Sequence, residues 1–260
     1  MVIFVIPAYN EEENLEHLLD NIRKFMAYFE HEYHVVMVND GSTDGTVQIV
    51  QRLQKTLPIT LVNHAQNHGP GHAFMSGFQV ALDMAADDDM VVTIEADNTS
   101  DLLILNKMLE QCRRGNDLVL ASVYGKGKVV GAPLNRKVLS WCANTMLKMV
   151  LRIKGVHTFS SFFRVYRAAM LKQAMALYQD RLMEEVGFAC MVELLVKLHR
   201  LGYRIVEVPM LLDSKIRVGE SKMKAIRTTI SYFKLMYRYG IAIRFTPIKG
   251  RLRVHPHPGK

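Results

Sequence analysis

Five short apolar runs alternate with helix-period segments across the first 122 residues, and no other feature constrains the fold as strongly. Val2–Ile6, Tyr33–Asn39, Ile59–Asn63, Met90–Ala96 and Asp117–Ser122 are rich in apolar and β-branched residues, as buried strands are. Between the first two, Leu15, Leu18, Leu19, Ile22, Phe25, Met26 and Phe29 recur at helical spacing. Thr46–Leu57, Ala73–Ala86 and Leu102–Cys112 read as further helices. Asn10 with Glu13 three residues on has the pattern of a capping box. Such alternation predicts an α/β fold, a mostly parallel sheet with helices on both faces.

After Ser122 the texture changes. Tyr124–Pro133 is a Gly/Lys-rich stretch expected to be a mobile loop, and Asn135–Ile153 a basic amphipathic helix holding the only tryptophan, Trp141. Phe159–Tyr166 reads as strand, Phe188–Leu201 as helix and Tyr203–Pro209 as strand. Ala225–Phe245 reads as a final helix with Ile226, Ile230, Phe233, Met236, Tyr237 and Ile241 on one face and Arg227, Lys234, Arg238 and Arg244 interspersed.

Charge divides the chain in the same place. Residues 1–125 hold 7 Lys and Arg against 18 Asp and Glu, whereas residues 126–260 hold 26 against 7. A basic second half suits an anionic partner: a phosphate-bearing ligand, a membrane surface or nucleic acid. Cys112, Cys142 and Cys190 lie far apart without metal-ligand spacing and read as buried thiols of a reducing compartment. No apolar run approaches the ~20 residues of a membrane-spanning helix, and Met1–Ile6 lacks a basic leader. The expectation is a soluble or peripheral protein.

Four polar segments fall where strands end. They are Ile6-Pro7-Ala8-Tyr9-Asn10-Glu11, Val38-Asn39-Asp40-Gly41-Ser42-Thr43-Asp44-Gly45-Thr46, Asn67-His68-Gly69-Pro70-Gly71-His72-Ala73 and Glu95-Ala96-Asp97. In open parallel sheets the C-terminal strand edge is where ligands bind. Glu95 and Asp97 would present carboxylates there, suited to a hard divalent cation beside nucleotide phosphates. The Asp40 carboxylate could accept hydrogen bonds from a base. His68, His72 and His157 have no ligand spacing and read as structural or loop histidines.

Together these segments, with Phe162-Phe163-Arg164-Val165-Tyr166-Arg167 and Gly219-Glu220-Ser221-Lys222, resemble the family 2 glycosyltransferases, over roughly Val2 to Met223. Within the family the likeness is to the polyprenyl-phosphate sugar synthases. The resemblance implies a GT-A-type nucleotide-sugar-binding fold over residues 1–223, with a donor half (1–122) and an acceptor half (123–223). A basic amphipathic helix (224–250) and a flexible tail (251–260) would follow. It implies that Pro7, Tyr9 and Glu11 line the nucleotide pocket, with Val38 and Asp40 near base and ribose. Glu95, Ala96 and Asp97 would flank the diphosphate, and Asp97 would bind Mg²⁺ or Mn²⁺ with Glu95 and Thr99 as further ligands, Thr99 the weaker. Lys222 would reach the donor phosphates, and Arg136 and Ser140 the acceptor phosphate. Glu95 and Thr99 depart from the family's usual Asp and Gln. Val123 stands where an Arg is expected, a charge that Arg217, Lys126 or Lys128 could supply.

The reaction implied is inverting, metal-dependent transfer from a nucleoside-diphosphate sugar, GDP-mannose or a UDP-hexose, to dolichyl or undecaprenyl phosphate. The setting would be the cytoplasmic face of a membrane. A hydroxyl acceptor stays open, with Glu184, Glu185 or Glu193 as base, as does a non-catalytic nucleotide-sugar or lipid-phosphate binder. A nucleic-acid binder leaves the four sheet-edge segments unexplained and has no recognisable module. A dehydrogenase would need the Gly-x-Gly-x-x-Gly turn that the first segment lacks.

Overall fold

The computed structural model describes residues 1–216 and 225–241. Among the described residues nine strands form two sheets. The large one has seven strands, β1 (Val2–Ala8), β2 (Tyr33–Asp40), β3 (Ile59–His64), β4 (Met90–Thr93), β5 (Leu118–Ser122), β7 (Arg164–Arg167) and β8 (Ile205–Pro209), in the order β3-β2-β1-β4-β7-β5-β8. Every pairing in it is parallel except those of β7, which runs antiparallel between β4 and β5. A two-stranded sheet joins β6 (Lys128–Val130) to β9 (Leu211–Asp213).

The crossovers are helical: α1 (Glu12–Tyr28), α2 (Thr46–Leu53), α3 (Pro70–Met84) and α4 (Leu105–Arg113). They are followed by α5 (Leu134–Leu151), α6 (Ala168–Tyr178), α7 (Cys190–Arg200) and α8 (Ala225–Met236), the last running into a π-helical turn at Tyr237–Ile241. Strand side chains alternate between the two faces, so each face builds its own core. Ile3, Val5, Val36 and Val38 pack with Phe74, Phe78, Leu171 and Leu195 of α3, α6 and α7. Val2, Phe4, Ile6, Val35 and Met37 pack with Leu15, Leu19, Ile22, Leu105 and Leu109 of α1 and α4. Double coverage is why the strands are apolar throughout rather than alternating.

The structure departs from the sequence reading in five places. The capping box does not form: Asn10 takes a left-handed φ of 54°, and Glu11 occupies the cap position with no side-chain cap bond. The Asn10 carboxamide instead accepts from Thr43 N at 2.8 Å, tying the first strand-end loop to the second. Residues 124–133 are not simply a loop, because β6 pairs with β9 there, a partner about 80 residues away that local pattern cannot reveal. Strand β4 ends at Thr93, leaving Ile94–Asp97 as a loop, and Phe159–Phe163 precede β7 rather than belonging to it. Helix α6 is not among the expected elements. Among the described residues no helix is long and apolar enough to cross a membrane.

Candidate active site

The loops after β1, β2 and β4 and the segment before α3 meet along the C-terminal edge of the parallel strands. They are locked together by backbone-to-side-chain bonds. Asn10 N donates to Ser42 Oγ (2.9 Å), Glu11 N to Thr46 Oγ1 (2.9 Å) and Gly45 N to Glu12 Oε2 (2.6 Å). Gly41, at φ +72°, lies where the 66–67 backbone crosses, and a Cβ there would fall 2.3 Å from Gln66 C. The Asp-Gly pair of the second loop is thus required by close passage as well as by the turn.

A cavity of about 640 Å³ opens among these loops. Of the residues expected at the nucleotide pocket, Pro7, Tyr9, Glu11, Asp40, Glu95, Ala96 and Asp97 all line it. Val38 does not: its side chain is fully buried in the core with Val5 and Phe78. The period of two aims Val38 and Asp40 at the same sheet face, but only Asp40 lies beyond the core's edge.

Asp40 is itself nearly buried and heavily engaged. Its Oδ1 accepts from His68 N (3.0 Å) and meets His64 Nδ1 (2.9 Å), while Oδ2 accepts from Gly69 N (2.8 Å). His64 Nε2 faces Ser76 Oγ at 3.0 Å. The carboxylate therefore shapes the cavity wall by holding the 68–69 backbone. His68 sits on that wall, and His157 is held by Glu207 at 3.0 Å. His64, His68 and His72 form a run of ring contacts, and the described residues contain no cluster of three metal-ligating side chains.

Asp97 is 3% exposed, and its Oδ1 accepts both Thr99 N (3.1 Å) and Thr99 Oγ1 (2.8 Å). Thr99 lies off the cavity wall and acts as a support that aims the Asp97 carboxylate. Two carboxylates on one wall, one of them oriented by its own loop, form a donor set that fits a hard cation whose other ligands are phosphate and water oxygens.

Helix α8 contributes Arg227, Thr228, Ser231 and Lys234 to the same cavity, and the segment before α7 contributes Glu185, Val186 and Gly187. Reading the sequence for strand-end motifs did not bring α8 to this cavity, and the 185–187 segment entered only through Glu185 as a candidate base. The signal available was a basic, amphipathic helix, which does not say what it packs on. At Gly71 of α3 a Cβ would fall 2.1 Å from Glu185 O, so glycine alone lets the α3 N-terminus seat against that segment, where Gly71 N donates to Val186 O (3.0 Å).

A second cavity of about 910 Å³ adjoins the first, and Glu95, Phe162 and Thr228 belong to both walls. It is lined by Ser140, Trp141, Leu147, Phe163, Tyr232 and, at its basic side, Lys128 and Lys137. Ser140 Oγ pairs with Tyr124 Oη at 2.8 Å, joining α5 to the 124–128 stretch. Burial pushes the Tyr124 and Tyr232 phenols up, Tyr232 to about 12. Of the three glutamates considered as bases, only Glu185 reaches a cavity. Glu193 is fully buried and spent on other groups, and Glu184 pairs with Lys197 and Arg238. Arg217 and Lys222 lie outside the described residues, as does the Arg136 side chain, although its backbone belongs to α5.

Comparison with known proteins agrees with this architecture. The chain is 31% identical to an undecaprenyl-phosphate mannosyltransferase of Micrococcus luteus, over 96% of this chain and 98% of that one. It is 30% identical to a dolichol-phosphate mannosyltransferase of Pyrococcus furiosus, covering 91% of this chain but spanning only 63% of the relative's length. Among solved structures it superposes with a TM-score of 0.58 on a mannosyltransferase from Pyrobaculum calidifontis in complex with GDP-Man and Mn²⁺. That match is 20% identical and covers 95% of this chain and 65% of the other. Residues 3–174 match the model of glycosyl transferase family 2, the sheet and its edge cavity have the architecture of that family, and the chain belongs to it.

Proposed function

We propose that the protein transfers a sugar, most simply mannose, from a nucleoside-diphosphate sugar to a polyprenyl phosphate. The observation that carries this reading is the junction of the two cavities. A polar one under the strand edge suits the donor, and a more apolar one with lysines at its side suits a lipid phosphate. They meet at Glu95, Phe162 and Thr228, where donor and acceptor would face each other.

Glu11, Asp40 and the 67–70 loop would form the nucleoside end, and Glu95, Ala96 and Asp97 the diphosphate end. A Mg²⁺ or Mn²⁺ ion held by Asp97, with Glu95 beside it, would supply charge neutralisation of the departing diphosphate. Arg227 and Lys234 add positive charge on the same wall, and by resemblance Lys222 and Arg217 would as well. Lys128, Lys137, Ser140 and Arg136 would bind the acceptor phosphate. A lipid monophosphate is already anionic at neutral pH, so its attack needs positioning rather than a base. Approach from the second cavity, opposite the leaving group, inverts the anomeric carbon.

Surface chemistry supports peripheral membrane contact. Helix α8 buries Thr228, Tyr232, Leu235 and Met236 but exposes Ile230 and Phe233, and Tyr237 of the following turn continues their stripe. The packed neighbour α5 exposes Leu134, Val138 and Trp141 in a similar stripe. No Asp or Glu occurs between Asp117 and Asp180, and none follows Glu220. Exposed aromatics beside cations without acids are the composition of a helix lying at an anionic interface.

The deciding experiment is transfer with a short-chain polyprenyl phosphate, Mg²⁺ or Mn²⁺, and labelled GDP- and UDP-sugars. Label partitioning into the organic phase is the expected result and identifies the donor. Slow donor hydrolysis without lipid labelling would move the reading to a hydroxyl acceptor, with Glu185 as base. Blue-shifted emission of Trp141 on anionic vesicles checks the membrane face, and unchanged emission would remove it.

A further inference from the structure

The donor cavity is bounded by α8 and by the 185–188 segment, and a buried polar network behind them joins the two. Its centre is Glu193 of α7, fully buried. One oxygen accepts the backbone N–H groups of Glu184 (2.8 Å) and Glu185 (2.7 Å). The other lies 2.8 Å from Lys197 Nζ and accepts from Tyr239 Oη at 3.1 Å. Lys197 also donates to Arg181 O and to Glu184 Oε2, the latter at 3.1 Å. Arg238 pairs with Glu184 at 3.3 Å. Arg200 donates to Tyr239 O (2.8 Å) and stacks on its ring at 4.7 Å.

A buried carboxylate is costly unless every oxygen is engaged, and here each one has a task. The first holds the segment whose Val186 carbonyl receives Gly71 N at the foot of the donor cavity. The second holds the end of the helix that walls both cavities. Neither task requires contact with substrate.

We infer that Glu193 is a positioning residue and that its bond to Tyr239 latches the C-terminal helix against the donor cavity, setting how readily nucleotide enters and leaves. That the cavity takes nucleotide rests on the function proposed above; the latch itself does not. Opening it would swing Arg227, Ser231 and Lys234 off the wall while the sheet-edge loops stay in place.

The test uses the full chain as wild type, Tyr239→Phe and Glu193→Gln, first without ligand, by hydrogen–deuterium exchange. Tyr239→Phe removes one hydrogen bond to a charged group and keeps the ring on Arg200. Amides of α8 should therefore exchange about tenfold faster, with those of Glu184–Gly187 and α1 unchanged. Glu193→Gln leaves a single acceptor oxygen and turns an amide N–H₂ toward Lys197 or the backbone donors. Both α8 and Glu184–Gly187 should then loosen. Unchanged α8 exchange in Tyr239→Phe overturns the latch. A uniform acceleration over all elements, with lowered Tm, also overturns it by reducing Glu193 to a purely structural part.

The second step measures dissociation of GDP and UDP with Mn²⁺ by stopped flow. Tyr239→Phe should release nucleotide about tenfold faster and raise donor KM more than it lowers kcat. Faster α8 exchange with unchanged nucleotide release would refute gating. If wild type binds neither nucleotide, the proposed function fails, and the exchange contrast still decides the latch.

Discussion

Replacing Asp40 with Asn separates two roles that a carboxylate at this place could have. In the structure it receives two backbone N–H donors, His68 at 3.0 Å and Gly69 at 2.8 Å, and His64 at 2.9 Å. An Asn side chain keeps one acceptor oxygen and presents an N–H₂ where the other was. One backbone N–H then loses its acceptor and faces a donor, inside a site where Asp40 is only 3% exposed. A hydrogen bond to a charged group is worth roughly 1.5–3 kcal/mol, and a buried unsatisfied donor costs roughly 1–3 kcal/mol. A loss of about 3 kcal/mol follows, which corresponds to a factor of more than 100 in an equilibrium constant. Urea unfolding of Asp40→Asn should show a lower midpoint with unchanged slope, and titration with GDP and UDP should show weakened binding. If stability stays within about 0.5 kcal/mol of wild type while binding collapses, the wall-holding argument is wrong and Asp40 reads the base directly.

Three further outcomes are expected. Asp97→Ala should abolish transfer while far-UV circular dichroism stays native and Tm falls only by the loss of the acceptor for Thr99; near-normal turnover would remove the metal site from the proposal. Burial pushes the Cys112 thiol up to about 12 and that of Cys190 higher still, whereas Cys142 is exposed, so one thiol of three should react quickly with a maleimide in the native state. Fast labelling of two or more would contradict the packing around α4 or α7. Burial holds His34 and His199 below the ordinary imidazole value, with Arg200 adding to the effect at His199. Their unfolded forms therefore take up protons first, and stability should fall as pH drops through about 6.5 toward the lower folded values. His199→Gln should flatten that slope in a Tm-versus-pH series, and an unaltered slope would assign the loss elsewhere.

The parallel strands, the helices between them and the polar segments at their ends are legible because each is a local pattern. Period-two and period-3.6 hydrophobicity announce strand and helix, and a strand's C-terminal end follows from chain direction alone. That is enough to bring Tyr9, Glu11, Asp40, Glu95 and Asp97 to one edge. Val38 shows the limit: it lies two residues from Asp40 on the same face, and only the depth of the core, set by α3, decides that it is buried. Asn10 shows another, since a cap and a loop tie use the same carboxamide, and the tie won because the second loop passes within its reach. The antiparallel insertion of β7, the pairing of β6 with β9, the placement of α8 over both cavities and the engagement of Glu193 with Tyr239 are contacts between residues distant in the chain. No local periodicity encodes them. They arise when sheets and helices bury their remaining apolar faces against one another, and that packing is what turns a strand edge into two adjoining cavities.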